Sequence, residues 1–115
     1  MELKRYVQIR KEIFEVEEVI FNTDNYVQFK AVNENHKRTI YKGDGYKTSD
    51  KILDLVEVGD LVGYIFWGEE YEHIEKMIDT QHIEYELKYN DIRYKITAIY
   101  KLQPNGDYKK YEVSK

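Results

Sequence analysis

The sequence predicts an α+β fold that is mostly β: a strongly bent antiparallel sheet or small open barrel with one short helix. Three observations point there. Twelve tyrosines and four phenylalanines in 115 residues favour strands, and a single proline fits a chain with few long helices. The last third alternates apolar and polar residues with the period of two that lays one strand face on a core. Clusters of Asn, Asp and Gly break the chain at short intervals, as hairpin loops do. The length is that of a single domain, 1–115, large enough to hold a core without disulfides or metal staples.

The elements follow in order. Val7, Ile9 and Ile13 fall on odd positions, then Phe14, Val16 and Ile20 on even ones. This change of phase near Ile13–Phe14 predicts a β-bulge or bend inside a long strand pair. Asn22-Thr-Asp-Asn25 is a turn; Val27, Phe29 and Ala31 alternate with Gln28 and Lys30; Asn33-Glu-Asn-His36 is the next turn. Arg38-Thr-Ile-Tyr-Lys42 reads as a short strand closed by Gly43-Asp-Gly45. Ser49 or Asp50 can cap one helical turn with Ile52, Leu53 and Val56 inward, with an extended 51–57 as the competing reading. Leu61 to Trp67 is nearly continuous in large apolar residues, which predicts a central strand covered on both faces.

Tyr71, Ile74 and Ile78 fall at i, i+3 and i+7, so the short helix is expected near 69–78, docked on the sheet. A three-stranded meander is expected from 82 to 113. Its first loop is Asn90-Asp91, which pairs Leu87 with Tyr94 and Tyr85 with Ile96. Its second is Asn105-Gly106, which pairs Tyr100 with Tyr111 and Ala98 with Val113.

Composition bounds the chemistry. The net charge of −4 argues against a generic polyanion binder, and 42% hydrophobic with 35% charged residues is a globular balance. With no cysteine there is no disulfide, thiol nucleophile or thiolate metal site. The N-terminal Met-Glu-Leu-Lys-Arg-Tyr lacks the apolar stretch of a signal peptide and no long apolar run exists, so a cytoplasmic protein with no membrane segment is expected. The charge is uneven. Residues 68–86 hold seven acids against Lys76, whereas 36–51 hold five bases against two acids and 87–115 seven bases against three acids.

Gly59-Asp60, with Gly43-Asp-Gly45, could be taken for a phosphate cradle. Neither a GxxxxGK[ST] nor a GxGxxG pattern surrounds them, and a Gly-Asp corner at the entrance to a strand is the simpler reading. The stretch Asp50-Lys-Ile-Leu-Asp-Leu-Val-Glu-Val-Gly-Asp-Leu-Val62 resembles a segment of small uncharacterised phage and prophage proteins of Gram-positive bacteria. There a similar Glu-Val-Gly-Asp leads into a strand. Ile96-Thr-Ala-Ile-Tyr-Lys101 resembles their later strand more loosely. The resemblance implies an accessory protein acting in the host cytoplasm, with an anti-defence role among its uses, and carries no catalytic residue across.

No enzymatic constellation emerges. Of His36, His73 and His82, the spacing offers a pair such as Glu69/His73, short of the three or four ligands of a zinc site, so neither a metal nor another cofactor is expected. Glu17-Glu18, Glu69-Glu70 and Glu84/Glu86 are expected in solvent, where general acid–base work has no shifted pKa to use. Ser49 and Ser114 sit in polar turn and tail contexts, unlike triad nucleophiles.

The expected function is therefore a non-catalytic binding module for a host or phage macromolecule. Twelve tyrosines exceed what so small a core can bury with every hydroxyl satisfied, so some should face a partner. A protein partner would meet Glu69, Glu70, Tyr71, Glu72 and Glu75. The alternative is a nucleic-acid-binding barrel using Lys37, Arg38, Tyr41, Lys42, Tyr46 and Lys47, where cations and aromatics interleave. A third reading is a small-molecule pocket, for a nucleotide for example, lined by Trp67 and tyrosines. Edge strands near each terminus leave a homo-oligomer open.

Overall fold

A computed structural model describes residues 2–113; Ser114 lies outside the described residues. The fold is α+β and mostly β, as the sequence predicts; among the described residues it has one α-helix and two antiparallel sheets, neither closed into a barrel. The chain divides into two compact units, the first ending at Leu55 and the second beginning at Val56. Among the described residues no helix is long and apolar enough to cross a membrane.

The first unit is a five-stranded sheet of β1 (Tyr6–Ile9), β2 (Glu12–Asn22), β3 (Tyr26–Ala31), β4 (Lys37–Tyr41) and β5 (Tyr46–Ser49), in the order β4-β3-β2-β1-β5. Alternation sets its core: Val7, Val27, Phe29, Ala31 and Ile40 are buried together, with Phe14, Val16 and Tyr46 packed against them. The phase change expected to mark a bulge at Ile13–Phe14 is instead a two-residue hairpin turn. Arg10, at a left-handed φ of 59°, and Lys11 join β1 to β2, and Val7 pairs with Phe14. Register shifts fall farther on, between Val16 and Glu18 and between Val19 and Phe21.

Connectivity proves the bend. β4 and β5 are the two edges of the sheet, yet consecutive in the chain. Asp44 returns its N–H to the Tyr41 carbonyl at 2.9 Å, so the link contracts before it reaches Tyr46. Such a turn spans less than about 7 Å, and two further residues add about 7 Å. A flat five-stranded sheet would set its edges about 19 Å apart. A 3-10 turn over Ile52–Leu55 ends the unit. Ser49 Oγ accepts the Lys51 N–H at 3.2 Å and donates to Asp54 at 2.6 Å, while Ile52 and Leu55 are buried.

The second unit is a sheet of β6 (Leu61–Phe66), β7 (His73–Lys76), β8 (Tyr94–Leu102) and β9 (Tyr108–Glu112), in the order β7-β6-β8-β9, with helix α1 (Thr80–Tyr89) between β7 and β8. β6 is central, as its apolar run predicts, although Trp67 falls just beyond it and is exposed.

Three expectations are corrected here. The segment 69–78 is not a helix: it is the β6–β7 loop and the edge strand β7. The strand expected over 83–89 is the helix. Asp79 caps it, its side chain accepting the His82 N–H at 2.7 Å, and no residue at the start of 69–78 supplies such a cap. Ile83 and Leu87, which looked like alternate strand positions, are also i and i+4 on a helix, and so short a run satisfies both periods. Tyr85 and Leu87 therefore do not share a strand face with Tyr94 and Ile96; Tyr85 lies exposed on the helix while Tyr94 and Ile96 are buried on β8.

The third correction is one of register. β8 and β9 do form a hairpin, but Tyr111 pairs with Ile99 and Tyr100 with Lys110. Gln103 donates to the Asp107 carbonyl at 2.7 Å, so the loop is Pro104-Asn105-Gly106, with Gly106 at a φ of 91°. Three residues replace the expected two, and one extra loop residue moves the register by one.

Candidate functional site

The entrance to β6 is a structural corner. Gly59 takes a φ of 96°, and the buried Asp60 carboxylate accepts the Glu57 N–H at 2.8 Å, the Leu102 N–H at 3.3 Å and the Lys101 ammonium at 2.5 Å. Both carboxylate oxygens are engaged inside the fold, as a structural corner requires.

The polar groups of more interest gather along β7 and α1. On one face of β7, Ile74 pairs with Gly63 and Lys76 with Leu61. Glu72, just before the strand, folds its carboxylate over Gly63; a Cβ at that glycine would lie 2.7 Å from Glu72 Cδ. Thr97 Oγ1 and Tyr100 Oη both donate to that carboxylate, the latter at 2.9 Å. Burial, then the Glu72 carboxylate, pushes the Tyr100 hydroxyl above its ordinary range.

Glu75 occupies the alternate position of β7. Its Oε1 lies 3.2 Å from His82 Nε2, and Glu86, one helical turn beyond His82, sets Oε1 3.6 Å from the same nitrogen. The side-chain ligand atoms of Glu75, His82 and Glu86 all lie within 4.8 Å of one another. Glu86 is 4% exposed, and its Oε2 has no hydrogen-bond partner among the described residues. Burial pushes its carboxyl upward and the adjacent Glu75 adds to that, against Tyr94 and His82. Tyr94 donates to the Glu86 carbonyl at 3.3 Å, and its own titration is pushed far up by burial and then by the Glu86 carboxylate. Tyr64 packs on Tyr94 at 4.6 Å between centroids and stacks on His73 at 5.6 Å, with Phe66 and Tyr71 completing the ring cluster.

The five residues expected to meet a protein partner are thereby sorted. Glu70 and Tyr71 are exposed in the β6–β7 loop. Glu69 pairs with His73 at 2.6 Å, so the anticipated Glu69/His73 pair exists, in a loop-to-strand setting rather than on a helix. Glu72 is bound by Thr97 and Tyr100, and Glu75 faces His82.

The six residues of the basic alternative lie on the two edges of the first sheet. Lys37, Tyr41 and Lys42 are exposed, and Tyr41 leans on Tyr26 at 6.2 Å. Arg38 is held by the Glu34 carboxylate at 2.8 Å, with its guanidinium 4.1 Å over the Phe14 ring. Tyr46 is packed against the core, and Lys47 is exposed on β5.

His82, Glu86, Tyr94 and Tyr64 did not stand out as a group in the sequence. The signal was the His82/Glu86 spacing of four, which has meaning only once 80–89 is read as a helix. Comparison with family models, with curated proteins and with solved structures returns no match.

Proposed function

We propose that the chain is a non-catalytic binding module whose contact surface is the β6–β7 hairpin of its second unit. The reading is carried by one observation: Trp67, Tyr71 and Ile74 are 57%, 64% and 54% exposed along a single loop and edge strand, and Ile78, just past that strand, is 68% exposed. Aromatic and aliphatic side chains in water are costly, and aromatics are enriched where proteins meet. An edge strand also offers unpaired backbone groups to an incoming strand. Glu69 and Glu70 border the same hairpin, which favours a basic, apolar-studded protein segment as the partner. The likeness of 50–62 to phage proteins gives such a module the setting of an accessory factor acting on a host protein, and an anti-defence role belongs to that setting.

The test is capture of protein partners by the purified chain, compared with a Trp67→Ala/Ile74→Lys variant and with a Tyr41→Ser control on the other unit. A partner retained by the control and lost by the hairpin variant supports the reading. Equal retention by both variants overturns it.

A second reading is favoured by the exposed Lys37, Tyr41 and Lys42 along the β4 edge, a stacking ring between two cations. Single-stranded DNA or RNA affinity that falls with salt, and falls again in Lys37→Gln/Lys42→Gln, would carry it.

A further inference from the structure

The inward groups of helix α1 raise a problem that hydrophobic packing does not answer. Its buried residue is a glutamate, Glu86, and that side chain reaches toward His82 and Glu75. A buried carboxylate oxygen left without a partner is expensive, the more so when charged. Natural folds retain such a group when something else completes it.

We propose that Glu75, His82 and Glu86 form a binding site for a divalent metal ion of the zinc class, with Glu86 Oε2 or Oε1, Glu75 Oε1 and His82 Nε2 as its protein ligands. Four features favour this. Ligand atoms about 2.1 Å from a tetrahedral zinc stand roughly 3.4 Å from each other. The two separations from His82 Nε2 are 3.2 Å and 3.6 Å. One imidazole with two carboxylates is a donor set suited to zinc and its first-row neighbours, and three protein ligands leave a fourth position for water. The three residues come from an edge strand and two successive turns of one face of α1, so the site is set by rigid elements rather than by a loop. Glu75, with its side chain 42% exposed, gives the ion a route in from solvent.

One neighbouring group steadies the site and one contact yields to it. Tyr94 donates to the Glu86 backbone carbonyl at 3.3 Å and so fixes the turn that carries the ligand. His82 Nδ1 accepts the Ile78 N–H at 3.3 Å, at the long end of a hydrogen bond. Metal on Nε2 moves the ring proton to Nδ1, so this contact is given up; Ile78 is 68% exposed, and its amide can turn to water at little cost. Neutralising two carboxylates by a divalent ion also removes the repulsion between Glu75 and Glu86.

The experiment uses the full chain stripped of metal. Zinc chloride is titrated by calorimetry, and cobalt(II) is added separately to read the visible bands of a four-coordinate site. His82→Gln and Glu75→Gln remove ligands at half-buried positions, and Glu84→Gln removes an exposed acid from the same helix. The expected result is one zinc per wild-type chain, with affinity weakened roughly tenfold or more by each ligand substitution and unchanged by Glu84→Gln. A raised melting temperature with zinc in wild type and not in His82→Gln would agree. No zinc retained at micromolar concentration, or equal binding by wild type, His82→Gln and Glu75→Gln, overturns the proposal. Glu86→Gln serves as a further check only where circular dichroism shows it folded, because the buried position is sensitive to change.

Discussion

The Lys101 ammonium lies 2.5 Å from the Asp60 carboxylate, with the lysine wholly buried and Asp60 2% exposed. Glu57 stands on the other side of the same nitrogen at 3.0 Å. The pair joins the first residues before β6 to the penultimate residue of β8, so it locks the corner at which the second unit begins. Asp60→Ala removes one partner of a buried ion pair and is expected to cost about 3–5 kcal/mol. Lys101→Met leaves the buried Asp60 carboxylate without its counter-charge and should cost a similar amount. Urea unfolding of the two variants measures both; a loss below about 1 kcal/mol for Asp60→Ala would count against the lock.

Gly63 and Glu72 make a second testable pair. Gly63→Ala places a methyl group where the Glu72 carboxylate sits. The flexible side chain moves, so the cost is that of its contacts with Thr97 and Tyr100, about 1–2 kcal/mol. In a Glu72→Ala background the same substitution should be close to neutral. A double-mutant cycle reads this coupling directly, and additive effects would disprove it.

Alkaline stability follows from Tyr94 and Tyr100. Both hydroxyls are shifted upward by burial and by carboxylates, Glu86 beside Tyr94 and Glu72 beside Tyr100. A folded-state pKa above the unfolded value of about 10 contributes stability that is complete below that pH and lost as the pH rises toward the folded value. The melting temperature should therefore fall between about pH 9.5 and 11. Tyr100→Phe, though less stable at neutral pH, should show a shallower fall. Identical slopes in the two proteins would refute the assignment.

The exposed hairpin residues should be dispensable for folding. Trp67→Ala and Ile74→Lys alter side chains that are more than half exposed, and each should change stability by no more than about 0.5 kcal/mol. Ile74→Lys should also reduce any self-association, since charge on an edge strand discourages pairing. Thermal unfolding and light scattering check the two halves of this statement.

Much of the fold was legible because burial follows alternation wherever a strand has one wet face. Val27, Phe29 and Ala31 on β3 and Ile96 and Ala98 on β8 are buried as their spacing predicts. Residues 69–89 were misread because both periods fit short runs, and the decisive feature was a single cap, Asp79. The β8–β9 register was missed because Pro104 joined the loop, a choice between turn types that differ by one residue. Glu70 could be placed outside from polarity alone, whereas Tyr71, on the apolar stripe of the expected helix, could not. Glu72 could not, since its partners Thr97 and Tyr100 lie far along the chain and the space it fills exists only because residue 63 has no side chain. The Glu75–His82–Glu86 grouping was invisible for the same reason, depending on a strand and a helix that had first to be recognised.

The short link between the two edges of the first sheet makes the unit tolerant of a cut. A protease nick between Gly43 and Gly45 would sever the covalent path from β4 to β5 while sparing every ladder, since β4 is paired to β3 and β5 to β1. The two fragments should then co-elute under native conditions and part only in denaturant, a noncovalent heterodimer made from one gene product.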